Sequence, residues 1–343
     1  MLIQQQKSNL IKQQIVNLLN QKPSITDFIL SENSLHIVEN NNVIPIQQNI
    51  DQNIKECLID FFLELANNYI SSYEHEIKSE IKLKNYLKRI SSLNFSFGLD
   101  NYRFRGNLFV ASNIIHCVLR IISSDIKSFE ELGFNRTQMI SLLNSKSHGL
   151  ILISGVTGSG KSTTAASILD YYNKTRKYHI ITIEDPVEYK LVEKQSKITQ
   201  REVGSDTVNF KQALKDSLRQ KPHVLFIGEV RDLEVAEILL HATLTGHLVI
   251  TTIHASSVIQ SINRFIGLFP ASQEEVIKRT FAHVLLGCIN QRLEYVPTSN
   301  KMQLKYEMLI VDDTARVIIQ QDKRMYGQLK DVMRRQGSPI LEY

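Results

Sequence analysis

In the second half of the chain, apolar residues fall in short uninterrupted runs. "GLILIS" (149–154), "HIITI" (179–183), "VLFIG" (224–228) and "HLVITTI" (247–253) are each bounded by glycine or acidic residues. Such runs predict strands buried on both faces. Between them the spacing becomes helical: Phe210, Ala213, Leu214, Ser217 and Leu218 share one face, as do Val235, Ile238, Leu239 and Ala242. Strand and helix in alternation predict βαβ units and a parallel sheet.

The first part reads differently. Ile11, Ile15, Leu18 and Leu19 follow helical spacing, as do Ile54, Cys57, Leu58, Phe61, Phe62, Leu65 and Tyr69. "TDFILSENSLHIVENNNVIPI", "YRFRGNLFV" and "HCVLRII" read as strands and hairpins. The expected organisation is an α+β domain over 1–122, a linker with a short helix over 123–148, and an α/β domain with C-terminal helices over 149–343.

Composition supports two cored domains: 343 residues, 43% of them hydrophobic and 22% charged. The net charge of +5 is too small to choose a partner. Cys57, Cys117 and Cys288 are far apart and form no CxxC pair, which fits idle thiols in a reducing compartment. No apolar run approaches a membrane span, and "MLIQQQKSNLIKQQ" has no signal-peptide pattern. The expectation is a cytoplasmic protein, with peripheral membrane contact left open.

"GVTGSGKS", Gly155 to Ser162, matches the phosphate-loop pattern GxxxxGK[ST]. Gly155, Gly158 and Gly160 let backbone amides turn inward around a phosphate. Lys161 is placed to reach the β and γ oxygens, Ser162 to offer a hydroxyl to Mg²⁺, and the following helix to aim its positive end at the anion. Val156, Thr157, Ser159 and Thr163 complete the expected ATP-binding stretch. A second strand end should hold the metal, and "HVLFIGEVRD" supplies Glu229. Its longer side chain, where many such proteins carry Asp, suggests contact through water. "ITIEDPVEY" leaves another strand with Glu184, Asp185 and Glu188 within five residues. His254 directly follows a buried strand, at the sheet end where ligands bind; His247 begins the same strand. Alternation puts Arg103, Arg105 and Asn107 on one face, and the two arginines, with Arg120, are candidates to reach a γ-phosphate across a domain or subunit boundary.

"GVTGSGKST", "TIEDPVEY", "GEVRD" and "TGHLVITTIHASS", in that order, resemble the secretion ATPases of type IV pilus and type II/IV secretion systems, most nearly the PilT-like retraction branch. "QREVGSDTVNF" and "INRFIGLFP" extend the resemblance over roughly 90–320. It implies a smaller PAS-like N-terminal domain and a RecA-like P-loop domain with ATP between them, Mg²⁺ dependence, and a homohexamer. It also implies work at the cytoplasmic face of an inner-membrane pilus platform protein, a related pilus ATPase as possible companion, and no nucleic-acid partner. By position it makes Glu188 the general base, Glu229 the acid that positions Mg²⁺, and His247 and His254 the two histidines near the γ-phosphate. Arg264 matches an arginine behind them, and Glu184 becomes a supporting polar group. Two departures stand out: Asn113 replaces an arginine of the family pattern, and "DTARVI" only echoes the family's C-terminal motif. Rival readings are a pilus-assembly or type IV secretion ATPase, a RecA-like nucleic-acid motor, and a regulatory ATP-binding protein.

Overall fold

A computed structural model describes residues 2–39, 42–48, 51–69, 77–122, 125–297 and 301–341. The chain divides into two units, Met1–Ser124 and Asp125–Tyr343.

The first unit runs α1 (Leu2–Gln21), β1 (Ile25–Ser31), β2 (Ser34–Glu39), β3 (Asn42–Gln48), α2 (Gln52–Tyr69), α3 (Glu80–Ile90), β4 (Ser92–Leu99), β5 (Tyr102–Ala111) and β6 (Ile114–Ile122). The strands form one antiparallel sheet in the order β3-β2-β1-β6-β5-β4. The predicted helical faces are its core: Ile11, Ile15 and Leu19 of α1 and Leu58, Phe61, Phe62 and Leu65 of α2 pack with Phe28, Phe104, Leu108 and Leu119 of the sheet. Residues 40–41, within the stretch read from sequence as strands and hairpins, lie outside the described residues.

The second unit runs α4 (Arg136–Leu143), β7 (Gly149–Ser154), α5 (Lys161–Thr175), β8 (His179–Glu184), β9 (Lys197–Glu202), α6 (Phe210–Ser217), β10 (Val224–Ile227), α7 (Leu233–Leu244), β11 (Leu248–Ile253), α8 (Val258–Ile266), α9 (Glu274–Val284), β12 (Leu285–Val296), β13 (Lys301–Ile310), α10 (Asp313–Gln320) and α11 (Leu329–Arg335). Its sheet has the order β13-β12-β7-β11-β10-β8-β9, parallel except where β13 returns antiparallel on β12. Every residue of β7, β10 and β11 is buried. The pleat explains why the runs are apolar throughout: Ile151 and Ile153 of β7 face α4 and α5, while Leu150 and Leu152 face α6 to α11.

The segment 125–148, read from sequence as linker and short helix, packs into the second unit (residues 123–124 lie outside the described residues). Phe129, Phe134, Met139, Leu142 and Leu143 join Ile151, Ile168 and Tyr172 in one core, and Tyr172 Oη donates to Leu143 O at 2.8 Å. Its polar stretches hid these anchors because they are spaced over loop and helix with no single period. The fit is close: a Cβ at Gly287 would meet Leu142 Cδ1 at 2.5 Å. Leu142→Ala should therefore cost about 2–5 kcal/mol in urea unfolding, whereas a change below about 0.5 kcal/mol would mark the segment as a mere tether.

Candidate functional site

Parallel strands end together. In the lateral order β7, β11, β10, β8, the chain leaves their carboxyl ends into Gly155, His254, Gly228–Glu229 and Asp185. Residues nearly a hundred apart in sequence thus meet on one edge.

The phosphate loop is built against β12. A Cβ at Gly155 would collide with Gln291 O and Ser159 Oγ, so only glycine fits there. Gly160 caps α5 at φ 85°, the left-handed region, turning the loop into the helix. Gln291 Nε2 donates to Ser159 O at 2.7 Å, and its Oε1 accepts from Thr164 Oγ1 at 2.8 Å, fixing loop to helix. Val156, Thr157 and Gly158 form the exposed tip, while Lys161, Ser162 and Thr163 are half-buried at the first turn of α5.

Lys161 Nζ donates to Gly155 O (3.0 Å) and Val156 O (2.9 Å) and lies 3.5 Å from His254 Nδ1. His254 Nε2 in turn sits 3.3 Å from Glu229 Oε1, whose other oxygen pairs with Arg231 at 2.9 Å. With Lys161 donating at Nδ1, the ring proton belongs on Nε2, facing the carboxylate. Burial lowers the Lys161 pKa, and the charges of Glu229 and Glu188 oppose that shift. Buried Asn290 steadies this arrangement, since its Nδ2 donates to Ser154 Oγ at 2.9 Å and to Ala255 O, just after His254, at 3.0 Å.

Glu188 reaches the site by a fold-back. After β8, residues 185–196 carry no helix or strand and return toward α5, where Tyr189 Oη and Thr163 Oγ1 are 2.9 Å apart. Glu184 ends β8 buried, accepting from Thr182 Oγ1 (2.7 Å), Gln200 Nε2 (3.3 Å) and the Glu188 amide. Burial pushes its pKa up to about 7, with those hydrogen bonds opposing the shift and the charge of Glu188 adding to it.

Other expected residues lie elsewhere. Arg264, exposed on α8, lines a cavity of about 320 Å³ with His254, Ala255, Gln260 and Asn263. His247 is not brought to the phosphate loop. It precedes β11 at the sheet's amino edge, bonded to Ala242 O and Thr245 Oγ1, and the strand puts roughly 20 Å between it and His254. Arg103, Arg105 and Arg120 belong to the first unit, on the sheet face away from Phe104 and Leu108; Arg105 lies opposite Arg120, which pairs with Asp27 at 2.9 Å. Asn113 sits with Ser112 in the β5–β6 turn at φ 62° and 50°, left-handed values that asparagine tolerates far better than arginine.

Gln291, Asn290, Gln200, Tyr189 and Arg231 are contacts that sequence reasoning missed. The available signal for the first two was a polar pair inside the apolar run "LLGCINQRL".

Among the described residues no group of three His, Cys, Asp or Glu side chains converges on a metal position. Mg²⁺ needs none, because it keeps waters and substrate phosphate oxygens beside one or two protein oxygens. The hard oxygens of Ser162 and Glu229 fit that demand. Glycine cradle, lysine, hydroxyl and acidic strand end, on an α/β sheet of this order, define a P-loop nucleotide hydrolase of RecA-like fold with a smaller N-terminal α+β domain.

The chain belongs to the type II/IV secretion system protein family, whose profile matches residues 9–333. It is 34% identical over 269 residues to the type IV pilus retraction ATPase PilT of Pseudomonas aeruginosa strain PAO1, covering 78% of this chain and 77% of that one. It is likewise 34% identical over 261 residues to a twitching motility protein of Neisseria gonorrhoeae, covering 76% and 68%. The crystal structure of the pilus retraction motor PilT with bound ADP superposes with a TM-score of 0.78 at 34% identity, covering 93% of this chain and 89% of that one. The protein is an ATPase of this family.

The buried Glu184 makes a pH prediction for the nucleotide-free protein. Its folded pKa of about 7 exceeds the ordinary glutamate value of 4.5, so the folded state holds the proton more tightly. Stability from this group is complete below pH 4.5, falls as pH rises, and is gone above about 7, a total of ~3 kcal/mol. Glu184→Gln should match wild type near pH 4.5 and exceed it by about that amount at pH 8. A stability difference that stays constant between these pH values, in urea unfolding, refutes the assignment.

Proposed function

We propose that this ATPase is a homohexameric, Mg²⁺-dependent motor that drives type IV pilus retraction from the cytoplasmic face of an inner-membrane platform protein. The observation that carries the reading is the likeness to the retraction ATPase PilT over more than three quarters of both chains. Among the described residues no helix is long and apolar enough to cross a membrane, which agrees with peripheral attachment. A related pilus ATPase is a possible companion, and no nucleic-acid partner is expected.

In this reading the loop amides of 155–163 and Lys161 hold the ATP phosphates. Ser162 and Glu229 would hold Mg²⁺, which when bound screens the phosphate charge and orients the γ-phosphoryl group. Glu188 takes a proton from the water that attacks the γ-phosphorus; the bond to the bridging oxygen breaks, and ADP and phosphate result. His254, set between Lys161 and Glu229, links the phosphate-binding cation to the acidic strand end, and Arg264 faces the cavity beside it. Arg103, Arg105 and Arg120 are the candidates to neutralise γ-phosphate charge. His247 stands at the opposite end of β11 and takes no part in this reading.

Lys161→Ala should abolish ATP turnover. Glu188→Gln should keep ATP binding and lower kcat by about 10²–10⁴-fold; turnover at the wild-type rate would sink the assignment. Deletion of the gene should leave cells with pili that no longer retract. Loss of pili would point to assembly, and pili with normal retraction to secretion.

A further inference from the structure

The loop that presents Glu188 has no secondary structure of its own, so its backbone groups must find partners elsewhere. They find them on the edge strand β9. Gln200 is the centre of this contact: its Nε2 donates to Tyr189 O at 2.8 Å and to Glu184 Oε1 at 3.3 Å, and its Oε1 accepts from Leu191 N at 2.8 Å. One side-chain amide thus pairs with residues 189 and 191 as a neighbouring strand would, while also holding the buried end of β8. Two residues on, Glu202 Oε2 accepts from Val187 N at 3.0 Å. Buried Val187 and Leu191 anchor the segment from below. Glu188 lies between these ties, where its charge acts on Lys161, Tyr189 and Glu184.

We propose that Gln200 is a positioning residue for ATP cleavage: it sets where Glu188 stands relative to the phosphate loop, and so governs kcat while leaving ATP affinity alone. The inference rests on the reading of Glu188 as general base. Affinity is assigned to the loop of 155–163, which Gln200 does not touch, whereas a base displaced by about an ångström loses rate on the order of 10²-fold. Methionine at 200 would fill the same space without the three hydrogen bonds; glutamate would keep the contact to Leu191 N and lose both donors.

The test uses the full chain with Gln200→Ala, Gln200→Met, Glu188→Gln and the double variant Glu188→Gln/Gln200→Met. Steady-state ATPase kinetics, binding of a non-hydrolysable ATP analogue and thermal unfolding are measured on each. The expected result is a fall in kcat of about 10- to 100-fold in both Gln200 variants, with analogue affinity within about threefold of wild type. In the double variant the Gln200 change should add nothing to the loss from Glu188→Gln, because both act through one group. Full turnover in the Gln200 variants with a dead Glu188→Gln overturns this proposal and leaves the base assignment standing. Additive losses, or a fall in affinity equal to the fall in rate, also overturn it. An active Glu188→Gln removes the premise itself. Loss of cooperative unfolding in both Gln200 variants would make the residue a determinant of the fold and overturn the positioning role.

Discussion

The parallel pairing of β7, β11, β10 and β8 is the constraint on which the site depends. Adjacent strands lie roughly 4.8 Å apart, so the residues leaving their carboxyl ends are near neighbours whatever their distance in sequence. Lys161, His254, Glu229 and Arg231 form a continuous chain of contacts across this edge, in the lateral order of the strands that carry them. Were β11 antiparallel, His254 and His247 would exchange ends and the chain would break.

Acids crowd this edge although the ligand is a polyanion, and each is restrained differently. Glu229 is engaged by His254 and Arg231. Glu184 is buried and hydrogen bonded, with its pKa raised to about 7, so near neutrality it carries only part of a charge. Glu188 remains half-buried on a segment tied down at both sides, and its charge helps keep Lys161 an ammonium against the cost of burial. The three acids of "EDPVE" are therefore not equivalent, and Asp185 is the exposed one.

Much of this was legible beforehand where the necessary groups are contiguous. A phosphate cradle is made by consecutive amides, so Gly155 to Ser162 announce it alone. Glu229 and His254 were readable because each directly follows an apolar run. The buttresses were not: Gln291 is more than 120 residues from the loop it pins, and Gln200 binds residues 184, 189 and 191 through an edge strand whose "KITQRE" has no apolar periodicity. The packing of 125–148 escaped for a related reason, since irregular anchors such as Phe129 and Phe134 have no period to detect.

By itself the sequence determined the two-part organisation, the βαβ alternation, the phosphate loop and the identity of the acidic strand ends. These follow from local rules: pleat and helix period, glycine's access to left-handed backbone, and the chemistry a short motif carries within itself. Only the tertiary structure decided that His254 bridges Lys161 and Glu229, which acid is buried, and what holds Glu188 in place. Those outcomes depend on strand direction, on burial, and on hydrogen bonds closed between segments that the chain keeps far apart.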